Sequence, residues 1–272
     1  MRMKADLLIT TYNRPSALEV VFLSLLRQTV MPQQIIVADD GSGLETAKLI
    51  EKYQSIFKVK LIHAWQEDLG FRAAESRNNG LSYVKSPYVI MVDGDMVLGK
   101  NFVEDHLHFA QKGSFLQGGR VMLTKSKTDE LLKVINAKLT FRYLEKGVEE
   151  RLEKKISAFR SLFLARLTQR ELTNKRKVRS CNMSFFMEDV IRVNGFNNDF
   201  VGWGREDSEF VERLLHSGIK GRLMKFTLLA YHLYHKEESR ASLPANDQLL
   251  EHTIKTKLIR CENGLSKFSK KL

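Results

Sequence analysis

Asp93-Gly94-Asp95 sets two carboxylates one glycine apart, at the end of the run Tyr88-Val89-Ile90-Met91-Val92. Carboxylates held that close repel each other unless a cation lies between them. The spacing therefore suits a divalent-metal site that holds a phosphorylated ligand; the plainer alternative is a surface turn, because Asp-Gly is a common turn pair. A second acidic pair, Asp39-Asp40, ends the apolar run Ile35-Ile36-Val37-Ala38, and the polar run Thr10 to Arg14 ends Leu7-Leu8-Ile9. A third acidic pair, Glu206-Asp207, follows Gly202-Trp203-Gly204-Arg205 and opens a helical stretch. Acids in a first helical turn also cap it, so capping is the bland reading of that pair. His232 and His235 close the run Leu228 to Tyr234.

Positioning these residues requires strands that end together. The runs Leu7 to Thr10, Ile35 to Ala38, Val59 to Ile62 and Tyr88 to Val92 are short and apolar on both faces, as in a parallel sheet. Helical patterns separate them. Leu18, Val21, Phe22 and Leu25 repeat at i, i+3, i+4, i+7 behind Pro15, and further helices are expected over Glu45–Gln54 and Ala73–Val84. Such alternation predicts βαβ units and an α/β domain, whose ligands bind at the carboxyl edge of the strands. Three strands ending in polar clusters at one edge favour a site over independent turns.

Further along, a helix over 101–112, a strand over Phe115–Leu123 interrupted by Gly118-Gly119, and a strand over Cys181–Phe186 are predicted. A short helix over Glu188–Val193, a helix over Glu206–His216 stopped by Gly218, and a strand over Leu228–His235 follow. The tail from Ser239 is polar and is expected to be mobile.

The 272 residues, 43% of them apolar, suffice for one large core. Net charge is +12 with a pI near 9.6, which favours anionic partners. From Arg120 to Arg179 there are 17 Lys or Arg against 7 Asp or Glu, so this stretch supplies +10 of the excess. Helical pieces are expected there over Asn136–Leu144 and Ile156–Leu167, the latter placing Ile156, Phe159, Leu162, Phe163 and Leu167 on one face with Arg160, Arg166 and Arg170 around it. That face either packs on the core or attaches to an anionic membrane surface. Two cysteines, Cys181 and Cys261, without a CxxC or Cys/His cluster predict a reducing compartment and no zinc site. The start reads as a strand rather than a signal peptide, and no uncharged run approaches the ~20 residues that span a bilayer. A cytoplasmic protein is predicted, with peripheral attachment to the inner membrane as the reading that the basic segment adds. No RNA-binding signature is present, so nucleic acid is not an expected partner.

In order, Thr10-Thr11-Tyr12-Asn13-Arg14-Pro15, Asp39-Asp40-Gly41-Ser42, Arg77-Asn78-Asn79-Gly80 and Asp93-Gly94-Asp95 resemble the motifs of family 2 glycosyltransferases of the GT-A fold. Gly202-Trp203-Gly204-Arg205-Glu206-Asp207 is similar to the Trp-Gly-x-Glu-Asp segment of β-1,4-galactosyltransferases and bacterial chondroitin-type polymerases. The resemblance covers roughly 5–124 and 180–237. It implies a GT-A (Rossmann-like) sheet flanked by helices, with 1–124 as the nucleotide-sugar half, 125–179 as a basic helical insert, 180–238 as the acceptor and catalytic half and 239–272 as the tail. It also implies an inverting, Mn²⁺- or Mg²⁺-dependent transfer of a hexose or N-acetylhexosamine from a UDP-sugar to a saccharide, or lipid-linked saccharide, of a bacterial surface glycan such as lipopolysaccharide or capsule.

Position by position, the resemblance implies that Tyr12 stacks on the nucleobase and Asp40 accepts its imide N–H. Thr10, Asp39, Arg14 and Arg77 help to hold the donor, Asp93 touches the ribose, and Asp95 binds the metal. A late histidine completes that metal site; both His232 and His235 qualify, and the strand-end position favours His232. The chemistry is consistent with this. A divalent ion on oxygen ligands neutralises a diphosphate leaving group, and an imidazole ligand tilts the choice toward Mn²⁺. Asp207 is the candidate general base, Glu206 an acceptor-binding carboxylate, and Trp203 with Gly204 a flat face for a sugar ring. Two rival readings are a nucleotidyltransferase and a non-enzymatic binder of anionic membranes. The first needs a phosphate-cradling basic loop near the N-terminus, where Thr10 to Pro15 holds only Arg14 and no glycine.

Overall fold

The computed structural model describes residues 3–133, 159–172, 178–236 and 240–271. The predicted βαβ units are present. Strands β1 (Ala5–Thr11), β2 (Gln34–Asp39), β3 (Lys60–Trp65) and β4 (Tyr88–Asp93) alternate with helices α1 (Pro15–Leu25), α2 (Leu44–Ile56) and α3 (Ala73–Leu81). β1 pairs in parallel with β2 on one side and with β4 on the other. The chain thus leaves β1 in two directions, and the crevice between the ends of β1 and β4 is a topological switch point. Register places Thr11 opposite Asp39 and Thr10 opposite Asp93, so the three polar clusters share one edge.

Both faces of these strands are covered. Leu7, Ile9, Val37, Ile90 and Val92 pack with Phe22 of α1 and Tyr53 of α2 on one face; Leu8, Ala38, Val89 and Met91 pack with Ala74 of α3 on the other. Gly80 explains how closely α3 can lie: a Cβ there would meet Leu8 Cδ1 at 2.7 Å and Ala38 Cβ at 2.9 Å.

After β4 come β5 (Met96–Leu98), α4 (Phe102–Phe109), β6 (Ser114–Gln117), β7 (Val121–Met122) and α5 (Lys125–Lys133). The strand expected over Phe115–Leu123 is therefore two strands, and they belong to different sheets. The main sheet runs β3-β2-β1-β4-β9-β6-β10-β8, where β8 is Arg170–Glu171, β9 Asn182–Phe186 and β10 Lys220–Leu223. β9 is antiparallel to both β4 and β6, and β8 is antiparallel to β10, so the parallel sheet acquires a mixed half.

A second sheet, β5-β11-β7, is built on β11 (Ala230–His232), a much shorter strand than the expected Leu228–His235. Its register sets His232 opposite Met96, and the Leu233 N–H donates to the Asp95 carbonyl at 3.0 Å.

The expected insert helix Asn136–Leu144 lies outside the described residues, as does Ile156. The described part of the second expected piece is α6 (Leu162–Thr168), capped by Ser161 and pinned by Arg160, whose guanidinium bonds both oxygens of the buried Asp105. Helices α7 (Met187–Arg192) and α8 (Glu206–His216) precede β10 and close the second core, where Phe196 stacks on Phe210 at 4.3 Å.

The expectation of a mobile tail is wrong. Helix α9 (Leu243–Thr256) packs on α8, where Thr253 Oγ1 donates to Glu209 Oε1 at 3.1 Å beside the buried Glu209–Arg213 pair. Beyond it, Cys261 and Leu265 are buried, and Asn194 binds the Cys261 carbonyl and receives the Leu265 N–H. The tail docks mainly through hydrogen bonds, so its polarity hid its burial. Among the described residues no helix is long and apolar enough to cross a membrane.

Candidate active site

The switch point opens into a cavity of about 880 Å³. At one end the loop after β1 carries Tyr12, which is 43% exposed and donates its hydroxyl proton to Asp68 at 3.0 Å. The loop is held by Asn13, whose N–H donates to Ser42 Oγ and whose Oδ1 accepts from the Gly43 N–H. The two residues of the second acidic pair separate. Asp40 lines the cavity and accepts from Gln66 Nε2 at 2.6 Å and the Arg72 N–H at 2.7 Å. Burial pushes its pKa up to about 6. Asp39 is fully buried, accepts from the Ser42 N–H and meets His63 Nε2 at 2.7 Å; it does not line the cavity. Its visible work is to shape the loop that presents Asp40.

Asp93 and Asp95 also diverge. Asp93 accepts from Thr10 Oγ1 at 2.9 Å and lies 3.9 Å from the Arg77 guanidinium. Gly94 between them donates its N–H to the Thr10 carbonyl at 2.7 Å, and a Cβ there would fall 2.6 Å from that oxygen. Only glycine lets the chain cross β1 at this point and turn Asp95 to the other side.

Asp95 is buried against both histidines: His232 Nε2 lies 3.6 Å from its Oδ1 and His235 Nε2 3.3 Å from its Oδ2. The small sheet places them there. β11 delivers His232 beside Met96, and His235 follows three residues later. Ligand atoms of all three residues lie within 4.8 Å of one another. Asp95 Oδ1 is a buried oxygen without a hydrogen-bond partner, and His232 Nδ1 is a buried nitrogen without one. His235 Nδ1 lies 2.6 Å from the Lys236 carbonyl, which can only accept, so Nδ1 is the donor and Nε2 is the ring nitrogen that faces Asp95. Burial lowers the His232 pKa to about 4, keeping that ring neutral. One carboxylate and two imidazoles, with unpartnered buried atoms on Asp95 and His232, fit a borderline divalent ion such as Mn²⁺. The cluster uses both histidines, whereas the sequence offered them as alternatives. Arg14 also bonds Asp95 Oδ2, at 2.7 Å.

The opposite set of acids is mounted on α8. Asp207 accepts from the Ser208 N–H at 2.7 Å and the Ser180 N–H at 3.3 Å. Its pKa is pushed up to about 6, first by burial and then by Glu206, against the opposing pull of Arg77 and Arg179. Glu206 Oε1 accepts from Arg77 at 2.9 Å, while its Oε2 is buried without a partner. Arg77 itself stacks over Phe196. Trp203 and Gly204 line the same cavity, and α9 fixes their loop: Asn246 Nδ2 donates to the Gly204 and Val201 carbonyls at 2.9 and 3.3 Å. The Arg240 guanidinium lies 5.6 Å from the centroid of the Trp203 ring.

The fold thus gathers Thr10, Tyr12, Arg14, Asp40, Arg77, Asp93, Asp95, Trp203, Gly204, Glu206, Asp207, His232 and His235 around one cavity. Sequence reasoning missed Arg120, Arg179, Tyr234, Lys236 and Arg240, which line it too. Their only signal was membership in a basic stretch or nearness to a motif, which does not separate a cavity side chain from a solvated one.

A family model described as Glycosyl transferase family 2 matches residues 6–194, and one described as N-terminal domain of galactosyltransferase matches 166–236. Among curated proteins, the chain is 29% identical over 231 residues to validoxylamine A glucosyltransferase of Streptomyces hygroscopicus subsp. limoneus, covering 79% of this chain and 48% of that protein. It is 28% identical over 240 residues to chondroitin synthase of Escherichia coli, covering 84% of this chain and 34% of that one. The chain therefore spans half or less of these relatives. Among solved structures, S. aureus TarS 1–349 in complex with UDP superposes with a TM-score of 0.64 at 16% identity, over 99% of this chain and 70% of that one. The same protein is also known in complex with UDP-GlcNAc. Mannosyltransferase PcManGT of Pyrobaculum calidifontis, in complex with GDP-Man and Mn²⁺, gives 0.60 at 14%, over 100% and 70%.

Proposed function

Because the chain belongs to glycosyl transferase family 2 and has the GT-A fold, we propose that it transfers a hexose or N-acetylhexosamine from a UDP-sugar to a saccharide acceptor, with inversion. The observation that carries this reading is one cavity holding a metal-suited triad, Asp95, His232 and His235, together with a buried carboxylate, Asp207, whose pKa is raised to about 6. The UDP and UDP-GlcNAc complexes of a similar structure support the choice of donor; the Mn²⁺ complex of another supports the ion.

In this reading Tyr12 stacks on the nucleobase and Asp40 accepts its imide proton, using lone pairs that its two protein donors leave over. Asp93 and Thr10 hold the ribose end. Asp95, His232 and His235 would hold Mn²⁺ or Mg²⁺, which supplies charge neutralisation for the departing diphosphate. Arg120 and Arg179 add fixed positive charge to the cavity. Asp207 takes the proton from the acceptor hydroxyl as that oxygen attacks the anomeric carbon and the bond to the diphosphate breaks. Glu206, clamped by Arg77, turns its unpartnered Oε2 to the acceptor. Surrounding protein fixes both reactants, which supplies much of the acceleration.

The same reading takes the acceptor to be a bacterial surface glycan, lipopolysaccharide or capsule, met at a membrane surface. The support for the membrane is α6: Phe163 is 70% and Leu167 66% exposed, and residues 159–170 contain three arginines and no acid. A panel of UDP-sugars scored for Mn²⁺-dependent donor hydrolysis and transfer tests the reading. Hydrolysis of at least one, abolished by EDTA, is expected; stabilisation by any polyphosphate alike, without metal, would indicate a simple polyanion binder.

A further inference from the structure

A row of fully buried polar side chains runs behind the site, and the reading above uses none of them. Tyr88 Oη lies 2.7 Å from Ser184 Oγ, Ser184 Oγ 2.8 Å from His106 Nδ1, and His106 Nε2 3.1 Å from Asn182 Oδ1. At the end of the row Asn182 Nδ2 donates to two backbone carbonyls, of Gly119 and Leu228, at 2.8 Å each. Both amide hydrogens are then used, so Oδ1 accepts from His106 Nε2–H. His106 Nδ1 is left as the lone pair, Ser184 donates to it, and Tyr88 donates to Ser184. Each group thus donates to the next, from Tyr88 to the two carbonyls. Polar groups buried this deeply are costly unless satisfied, so the row specifies one arrangement of the segments it joins.

Those segments lead to the metal-suited cluster. Gly119 stands two residues ahead of β7 and Leu228 two residues ahead of β11. The two strands run parallel, with Met122 opposite His232. One amide therefore fixes where both begin. Asn182 itself sits opposite Val92, beside Asp93 at the end of β4, and its carbonyl accepts the Gly118 N–H at 3.0 Å. The backbone around the amide is shaped to it. Leu228 is fully buried at φ +51, a left-handed conformation that costs a leucine about 1 kcal/mol or more and persists only where the surroundings hold it. The bond to its carbonyl is such a hold. A Cβ on Gly118 would collide with the Asn182 amide, so glycine there is what admits it.

We propose that Asn182 is a positioning residue for the metal site: through the Gly119 and Leu228 carbonyls it sets the start of β7 and β11, and so holds His232 against Asp95. This rests on the reading of Asp95, His232 and His235 as Mn²⁺ ligands. The test uses the full chain and measures Mn²⁺ binding in saturating UDP by calorimetry. UMP binding in EDTA reports separately on the Tyr12 and Asp40 end. N182A should weaken Mn²⁺ ~10-fold or more, the lower end for losing an outer-shell partner of a metal, and leave UMP affinity near wild type. H106F keeps Asn182 but removes the donor that orients its amide, and should shift Mn²⁺ affinity the same way by less. F210L trims the second core, and should lower Tm without moving Mn²⁺ affinity. Wild-type Mn²⁺ affinity in folded N182A overturns the proposal, as does an equal loss in F210L or an equal loss of UMP affinity. If N182A does not unfold cooperatively, H106F decides by the same outcomes. A wild-type chain that binds UMP but no Mn²⁺ beside UDP sinks the metal reading beneath; one that binds Mn²⁺ as well as N182A does sinks only this inference.

Discussion

Asp207 carries two measurable consequences. D207N should lower kcat ~10²–10⁴-fold, the usual loss for a general base, while UDP affinity stays near wild type. Near-normal turnover in that variant would remove Asp207 from the mechanism. A base must be ionised to act, so activity should rise with pH through about 6 and level off above it, read from kcat/KM profiles. Arg179 helps to hold that carboxylate ionised, so R179Q should move the acid limb upward. The same shift acts on the fold. Asp207 and Asp40 bind protons more tightly folded than unfolded, so their contribution to stability falls as pH rises from about 4 to about 6. At the metal, D95A should abolish the extra thermal stabilisation that Mn²⁺ gives to UDP, which for wild type at 100 times Kd is about 2.7 kcal/mol. The divergence of Asp39 from Asp40 was not legible in the sequence. Adjacent strand residues point to opposite sides, and which side faces the cavity depends on where the strand ends.

At the level of elements, α9 is the part whose role the sequence concealed. Its polar face reads as solvated, yet Asn246 ties the Trp203 loop and Thr253 reaches the Glu209–Arg213 pair. N246A removes two hydrogen bonds from a buried side chain, and a cost of about 1–3 kcal/mol is expected from denaturant midpoints, together with a raised acceptor KM and an unchanged donor KM. A purely structural role for α9 would lower stability without splitting the two KM values. Phe210 of α8, stacked on Phe196 in the second core, should behave differently: F210A should cost about 3–5 kcal/mol, measured in the same way. The sequence announced α8 and not α9 for one reason. α8 advertises Phe210 and Leu214 at helical spacing, whereas α9 buries Asn246, Leu250 and Thr253, only one of which is apolar.

At the level of the molecule, the exposed apolar face of α6 and the basic stretch around it bear on where the reaction occurs. F163E with L167E should abolish sedimentation with vesicles rich in phosphatidylglycerol, binding that for wild type should weaken with salt and be absent on phosphatidylcholine. Equal binding by the double variant would end the membrane reading and leave the active site untouched. By itself the sequence determined the order of the βα units and the common edge on which Thr10, Asp40 and Asp93 end. It also placed the acids of the Trp203 segment at a helix start. These follow from local periodicity and from the way parallel strands must connect. Only the tertiary structure decided that β9 enters antiparallel beside β4, that β11 returns to Met96 and sets two histidines against Asp95, and that the tail closes over α8. Those pairings join residues far apart in the chain through backbone hydrogen bonds and polar contacts, which leave no periodic mark on the sequence. The metal-suited cluster opens with Asp95 at the end of a legible strand and is completed by β11, whose strand character the sequence announced but whose pairing beside Met96 it did not.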